Sequence, residues 1–326
     1  MLRQILTATT LLGIFLFHPV HPAVVCAQPD FETIGPDDRF PDGISPTHVF
    51  AQLDLLDRSL DQLLQQANIV IPDSSYPQLI ESDLLPMHVY QCILICTWRL
   101  QTLDDLPDYN VKHIPTISAN PRIYDPRDVF FLVDMMLDNV RQIGVKLNLE
   151  LPGKIATFSD KTPLDVFNLG TRVFIKINRL SGFDKITPSE VFAQLVRGVE
   201  DAKSILRQSD PACRYRIDAP PTEPERSPAD VFAKCLEIRH RINTIRRTLD
   251  LESVPVPELP ENMTLEPRDV FFQTQIIIAE LNLLKQPLAT NSSSPLAIPV
   301  TAKTPTHAHQ QASMILYLLQ QVKPSK

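Results

Sequence analysis

The chain is 326 residues long, 44 % hydrophobic and 21 % charged, with a formal net charge of −7. That acidic balance gives no reason to expect nucleic acid as a partner. Eight glycines against 30 prolines leave no Gly-rich phosphate loop, dinucleotide fingerprint or nucleophile elbow, which disfavours the chemistries built on those devices.

At the N-terminus, Arg3 precedes an apolar run from Ile5 to Phe17, and Val25-Cys26-Ala27 follows. The run is too short to span a bilayer and leads to Val25 and Ala27 at the −3 and −1 positions of a cut after Ala27, the pattern of a secretory signal peptide over residues 1–27. A lipoprotein acylated at Cys26 is the competing reading, opposed by the large Val25 before it. The mature chain is expected to begin at Gln28, with an extended segment over 28–44, and to be periplasmic or secreted. In a eukaryotic secreted protein, Asn262 and Asn291 would accept glycans. No later stretch approaches transmembrane length, because charges interrupt it.

From there one motif recurs. It reads Ser45-Pro46-Thr47-His48-Val49-Phe50, then Leu85-Pro86-Met87-His88-Val89-Tyr90, Asp125-Pro126-Arg127-Asp128-Val129-Phe130 and Thr162-Pro163-Leu164-Asp165-Val166-Phe167. Four further copies begin at Thr187, Ser227, Glu266 and Thr304. Each has the chemistry of a helix start: Pro at the first helical position, an N-cap side-chain oxygen before it in every copy but the one at Leu85, and mostly an acid two residues later at the positive end of the dipole. Counting from each Pro, offsets +3, +7, +10, +14 and +17 are mostly apolar, as in Val49, Leu53, Leu56, Leu60 and Leu63. This spacing predicts an amphipathic helix of about five turns after each motif.

A second level of repetition lies above the first. The prolines at 46, 86, 126 and 163 match those at 188, 228, 267 and 305 with an offset of 141 or 142 residues. The expected fold is therefore all-α: eight amphipathic helices in two tandem-duplicated four-helix units, residues 45–181 and 182–326, with the boundary at the short connection from Ser181 to Ile186. The other connections are about 20 residues long, Pro-rich and punctuated by apolar tracts such as Val254-Pro255-Val256-Pro257. An extended segment of that length can return beside a helix of about 30 Å, so helices within one unit are free to point the same way. This replaces the helical hairpin of tetratricopeptide-type arrays by one helix and one return segment.

Candidate site residues follow from position. Phe131 and Phe272 at offset +5, and Trp98, Ile175 and Tyr317 at +12, add apolar surface beyond the seam; they either widen the core or form a face for a partner. His48, His88, Asp128 and Asp165 share offset +2 and, if the helices are parallel, share one end of the first unit, where imidazoles beside carboxylates would suit a metal. Arg239 and Arg246 are seven apart on one helix and would suit an anion. Of the four cysteines after the leader, Cys213 and Cys235 are the first candidates for a disulfide.

No catalytic constellation emerges. The primary expectation is an exported, non-enzymatic helical scaffold or adaptor that needs no cofactor and binds a protein or peptide in the cell envelope, with a second copy of the chain also a candidate partner. The alternative is a small-ligand or metal sensor using the His/Asp helix ends or the cleft between the units.

Overall fold

The computed structural model describes residues 43–77, 80–105, 120–209, 220–259, 263–290 and 292–323. Among them are eight α-helices and no strand: α1 (Pro46–Gln66), α2 (Pro86–Gln101), α3 (Pro126–Lys146), α4 (Pro163–Leu180), α5 (Pro188–Ser209), α6 (Pro228–Thr248), α7 (Pro267–Lys285) and α8 (Pro305–Gln321). No helix among the described residues is long and apolar enough to cross a membrane. The expected leader 1–27, and all but residues 43 and 44 of the expected 28–44 segment, lie outside the described residues.

Every helix begins at the proline of its motif, and the reason is a shared hydrogen bond. The side chain two residues after Pro turns back and accepts the N-cap backbone N–H: Asp128 Oδ2 from Asp125 at 3.0 Å, Asp165 Oδ2 from Thr162 at 2.8 Å, Glu190 Oε2 from Thr187 at 2.9 Å. Where that residue is histidine, Nδ1 takes the same proton donor, from Ser45 to His48 at 3.1 Å, Leu85 to His88 at 2.8 Å and Thr304 to His307 at 3.2 Å. The conserved property of the position within the chain is thus an acceptor rather than a charge. The acceptor half of the capping box also explains why Leu85, which has no side-chain oxygen, still starts a helix.

The helix ends explain the scarcity of glycine. After α1, α3 and α6 the chain turns left-handed at Asn68 (φ 56°), Asn148 (φ 51°) and Asp250 (φ 56°). The next N–H then closes back on the helix, as from Ile69 to Leu64 O and Leu149 to Gly144 O, both 2.9 Å. Asn and Asp are the residues other than Gly that visit this conformation most readily.

The seam residues are buried; Leu53, Leu56 and Leu60 are fully inaccessible, each contributing about 2 kcal/mol of transfer free energy. Helices α1 and α2 each pack on α3 and α4, α5 and α6 each pack on α7 and α8, and α2 packs on α7. The direction follows from which residues meet. Pro46, Pro86, Pro126 and Pro163 surround one shallow depression together with Val49, Val89, Val129 and Val166, and the matching residues of α5–α8 surround another. All four starts therefore lie at one end, and α1–α4 run parallel, as do α5–α8. Gly170 and Gly198 interrupt the apolar seam because helices approach closely there: a Cβ on Gly198 would stand 2.8 Å from Ile315 Cδ1, and one on Gly170 3.0 Å from Ile93 Cδ1.

Parallel helices require long returns, and two of the described ones lie on helices. The segment after α6 runs back along α6 itself: Arg246 Nε donates to Glu252 O at 2.6 Å, Asn243 exchanges two hydrogen bonds with the Val254 backbone, and Arg239 Nη2 donates to Pro255 O at 2.8 Å. Residue numbers rise along the segment as they fall along the helix. The segment before α8 runs the same way along α5, from Ser292 at Ser204 through Ser294 at Asp201 and Pro295 at Arg197 to Lys303 at Ser189. Between α4 and α5 only residues 181–187 intervene, too few for a return, so α5 starts beside the end of α4 and reverses direction. Accordingly, α2 and α7 meet running oppositely, with Gln91 on Gln275 and His88 on Glu280.

Candidate functional site

The aromatic and aliphatic candidates separate into three environments. Phe272 is fully buried, edge-on to Phe271 and Phe174 at centroid distances of 5.5 and 5.6 Å, and Ile175 is also buried. Both are core residues, because α2 and α4 close over the face of α7 and leave no surface there for a partner. Trp98 is half-buried with the Arg197 guanidinium 4.8 Å from its ring, a cation–π contact. Phe131 and Tyr317 remain 40 % and 45 % exposed.

The four offset +2 residues of α1–α4 do sit at one end, yet they do not converge on an ion. Each spends its acceptor on its own helix start, and Asp128 additionally takes Arg122 Nη2 at 2.5 Å. No group of three metal-ligating side chains comes together among the described residues. Asp165 and Asp230 are held below the usual carboxylate range, Asp165 chiefly by the backbone N–H of Thr162 and Asp230 chiefly by the Ser227 hydroxyl.

Arg239 and Arg246 are removed from the surface rather than presented to an anion. Arg239 is fully inaccessible, its Nε 2.9 Å from Glu280 Oε1 and its Nη1 2.8 Å from Glu81 Oε1; Arg246 is nearly buried against the segment that returns along α6. Cys92, Cys96 and Cys235 are buried free thiols, and burial pushes Cys235 up to about 12. Its expected partner Cys213 lies outside the described residues.

What sequence reasoning missed is the buried polar network at the contact of α2, α6 and α7. Glu81, just before α2, and Glu280 on α7 grip Arg239 from two sides. With its amide oriented by its partners, Gln273 donates to Glu81 Oε1 at 3.1 Å and accepts from Arg239 at 2.9 Å. His88 is fully buried, and with Nδ1 committed to the Leu85 N–H its proton is on Nε2, 3.7 Å from Glu280 Oε1. Burial, aided by the positive Arg239 and Arg246, pushes His88 down to about 3. Burial pushes Glu280 up to about 7, against the pull of Arg239. For Arg239, burial opposes the charge but Glu280 and Glu81 outweigh it and hold its pKa above the usual value.

A second network joins α5 to α7: Lys285 Nζ lies 2.5 Å from Asp201 Oδ1, and Ser294 donates to Asp201 Oδ2 at 2.6 Å. In the first four helices, Lys176 bridges Asp57 and Asp61 at 2.7 Å each. The sequence signal for these networks is weak, because the charges flank the seam rather than occupy it, Arg239 at +11 and Glu280, Asp201 and Lys176 at +13; Arg197 at +9 is likewise buried, with Nη1 2.6 Å from Gln194 Oε1.

The two depressions at the helix starts are lined by proline, valine and one alanine, and each encloses only about 10 Å³, far less than a ligand pocket offers. The described residues form an all-α protein in which most buried ionisable groups pair internally, while His88 Nε2, Glu280 Oε2 and Arg197 Nη2 have no hydrogen-bond partner. No protein-family model, curated protein or solved structure matches the chain.

Proposed function

We propose that this chain is an exported, non-enzymatic helical scaffold or adaptor that holds a protein or peptide partner in the cell envelope. The observation that carries the reading is where the reactive groups go. The buried acids and bases are paired with one another or with the backbone, whereas the large aromatics Tyr317 and Phe131 keep 45 % and 40 % of their surface in solvent. Aromatic residues on a rigid helix face are favoured anchors of protein interfaces. The sensor alternative asks instead for open His/Asp clusters, and His48 and Asp165 are taken up in capping.

The architecture belongs to the same proposal: one four-helix unit, duplicated in tandem as residues 45–181 and 182–326, with Pro-rich extended segments between its helices. Matched contacts support it. The Lys161 N–H donates to Thr47 Oγ1 and the Lys303 N–H to Ser189 Oγ, each at 3.0 Å. Lys161 Nζ sits 4.6 Å from the ring centre of Phe50 and Lys303 Nζ 4.9 Å from that of Phe192. The three matched positions, Lys161 and Lys303, Thr47 and Ser189, Phe50 and Phe192, are each 142 residues apart, the offset seen in the motif.

Two measurements test the proposal. N-terminal sequencing of the exported chain is expected to begin at Gln28, and a chain that retains residues 1–27 would refute export by cleavage. The mature chain is then used as bait in envelope extract beside Tyr317→Asp and Phe131→Asp variants and an Ile123→Asp surface control, all shown to be folded by circular dichroism. A partner kept by the control and lost with either aromatic supports the scaffold reading. Capture that is equal in all four baits, or absent in all, refutes it. Phe272→Asp is unsuitable as a probe because it would place a charge in the core.

A further inference from the structure

Around the α2–α7 contact lie four charged or titratable groups, three of which differ in type from their counterparts in the repeat. At the places matched by the repeat offset, His88 corresponds to Asp230, Glu280 to Asn139 and Arg239 to Thr97; only Glu81 keeps its type, as Glu223. The network therefore belongs to the meeting of the first four helices with the last four. We propose that His88 and Glu280 form a proton-compensating pair that keeps α2 docked on α7 as the surroundings acidify.

The geometry restricts what each group can do. His88 has given Nδ1 to the Leu85 N–H, so a second proton would remove the acceptor that starts α2 and place a cation in an inaccessible site. The groups facing it are Glu280 from α7 and Arg239 and Arg246 from α6, with Glu81 behind them on the far side of Arg239. Of the other helices on α2, α4 presents the Phe167 and Gly170 carbonyls to Cys92 and Cys96, and before α3 Tyr124 stacks on Tyr90. Two carboxylates thus face two guanidiniums around a neutral imidazole.

The two titrations act in opposite directions. Glu280 is protonated more readily when folded than the ordinary 4.5, so its contribution is fully present below 4.5 and is lost as pH rises through about 7. His88 is protonated less readily than the ordinary 6.5, so its contribution is present above 6.5 and is lost as pH falls toward about 3. Between 6.5 and 4.5 the contact gains from one group what it loses from the other.

The test uses the mature chain. The imidazole resonance of His88, assigned by its loss in His88→Gln, is followed from about pH 8 to 5; about 1 % protonation at pH 5 is expected, against about 97 % for an ordinary imidazole. Urea midpoints of His88→Gln and Glu280→Gln are read over the same range relative to the unsubstituted chain. Acidification is expected to raise the midpoint of the first and lower that of the second. An inflection of His88 near 6.5, or two variants that share the slope of the unsubstituted chain, would overturn the proposal. If a variant fails to fold, the histidine titration in the unsubstituted chain decides alone, with assignment by through-bond correlation.

Discussion

Phe131 and Phe272 occupy the same position of the same local sequence, Pro-Arg-Asp-Val-Phe-Phe, on α3 and α7. Helix propensity and the seam treat them alike, so any difference between them measures the docking of α2 on α7. Phe272 is fully buried among Phe271 and Phe174; truncation there removes the ring's transfer free energy and leaves a cavity, and Phe272→Ala should cost about 3–5 kcal/mol. Phe131 keeps 40 % of its surface in solvent. Its truncation loses about three-fifths of the transfer term with water free to fill the space, so about 1–1.5 kcal/mol is expected. The difference of about 2–3 kcal/mol is well beyond the error of urea unfolding followed by circular dichroism. Equal costs would mean that α7 is no better covered than α3, which would refute the burial of α7 beneath α2 and α4.

Further tests probe other parts of the fold. Ala289 sits left-handed after α7 at φ 51°, where glycine carries no Cβ penalty, so Ala289→Gly should stabilise by about 0.5–1 kcal/mol in a thermal melt. Gly198→Ala should destabilise by about 1–3 kcal/mol because its Cβ meets Ile315, and Ile315→Val should recover part of that loss in the double variant, read as a coupling in urea unfolding. Asp165 and Asp230 have folded pKa values below their ordinary 3.8, so the stability they contribute is present above 3.8 and lost as pH falls through the folded value. Asp165→Asn/Asp230→Asn should therefore lower stability at neutral pH and flatten the acid loss seen in a pH series of melts.

The helix starts were legible because their chemistry is local. A Pro that lacks an N–H, an N-cap ahead of it and an acceptor two residues later lie within four residues, and each of the eight motifs begins a helix. The histidines were read for metal rather than for capping, since nothing in His48 or His88 announces that Nδ1 is already spent. The fate of the outward faces was less legible, because it depends on a helix far away in the chain. Yet a signal existed in matched positions. Ile95 and Trp98 on α2 stand where α6 has Glu237 and His240, and Ala279 on α7 stands where α3 has Asp138. The two helices that lost charge on their outer faces are the two that meet.

Connection length ties these observations together. Long returns let helices of one group run parallel, and where described the return backbone is held by side chains on helices through its carbonyls, as Arg197 holds Pro295 and Gln310 holds Pro220. Parallel helices gather four positive dipole ends at one place, a repulsive arrangement that an acceptor at each start offsets. The one short connection, 181–187, cannot supply a return and so reverses the chain. It brings α7 against α2 in the opposite direction, setting Gln275 beside Gln91 and Glu280 beside His88. The buried charges at that contact thus follow from a difference in connection length, and shortening or lengthening any other connection would be expected to disturb helix direction before it disturbed the core.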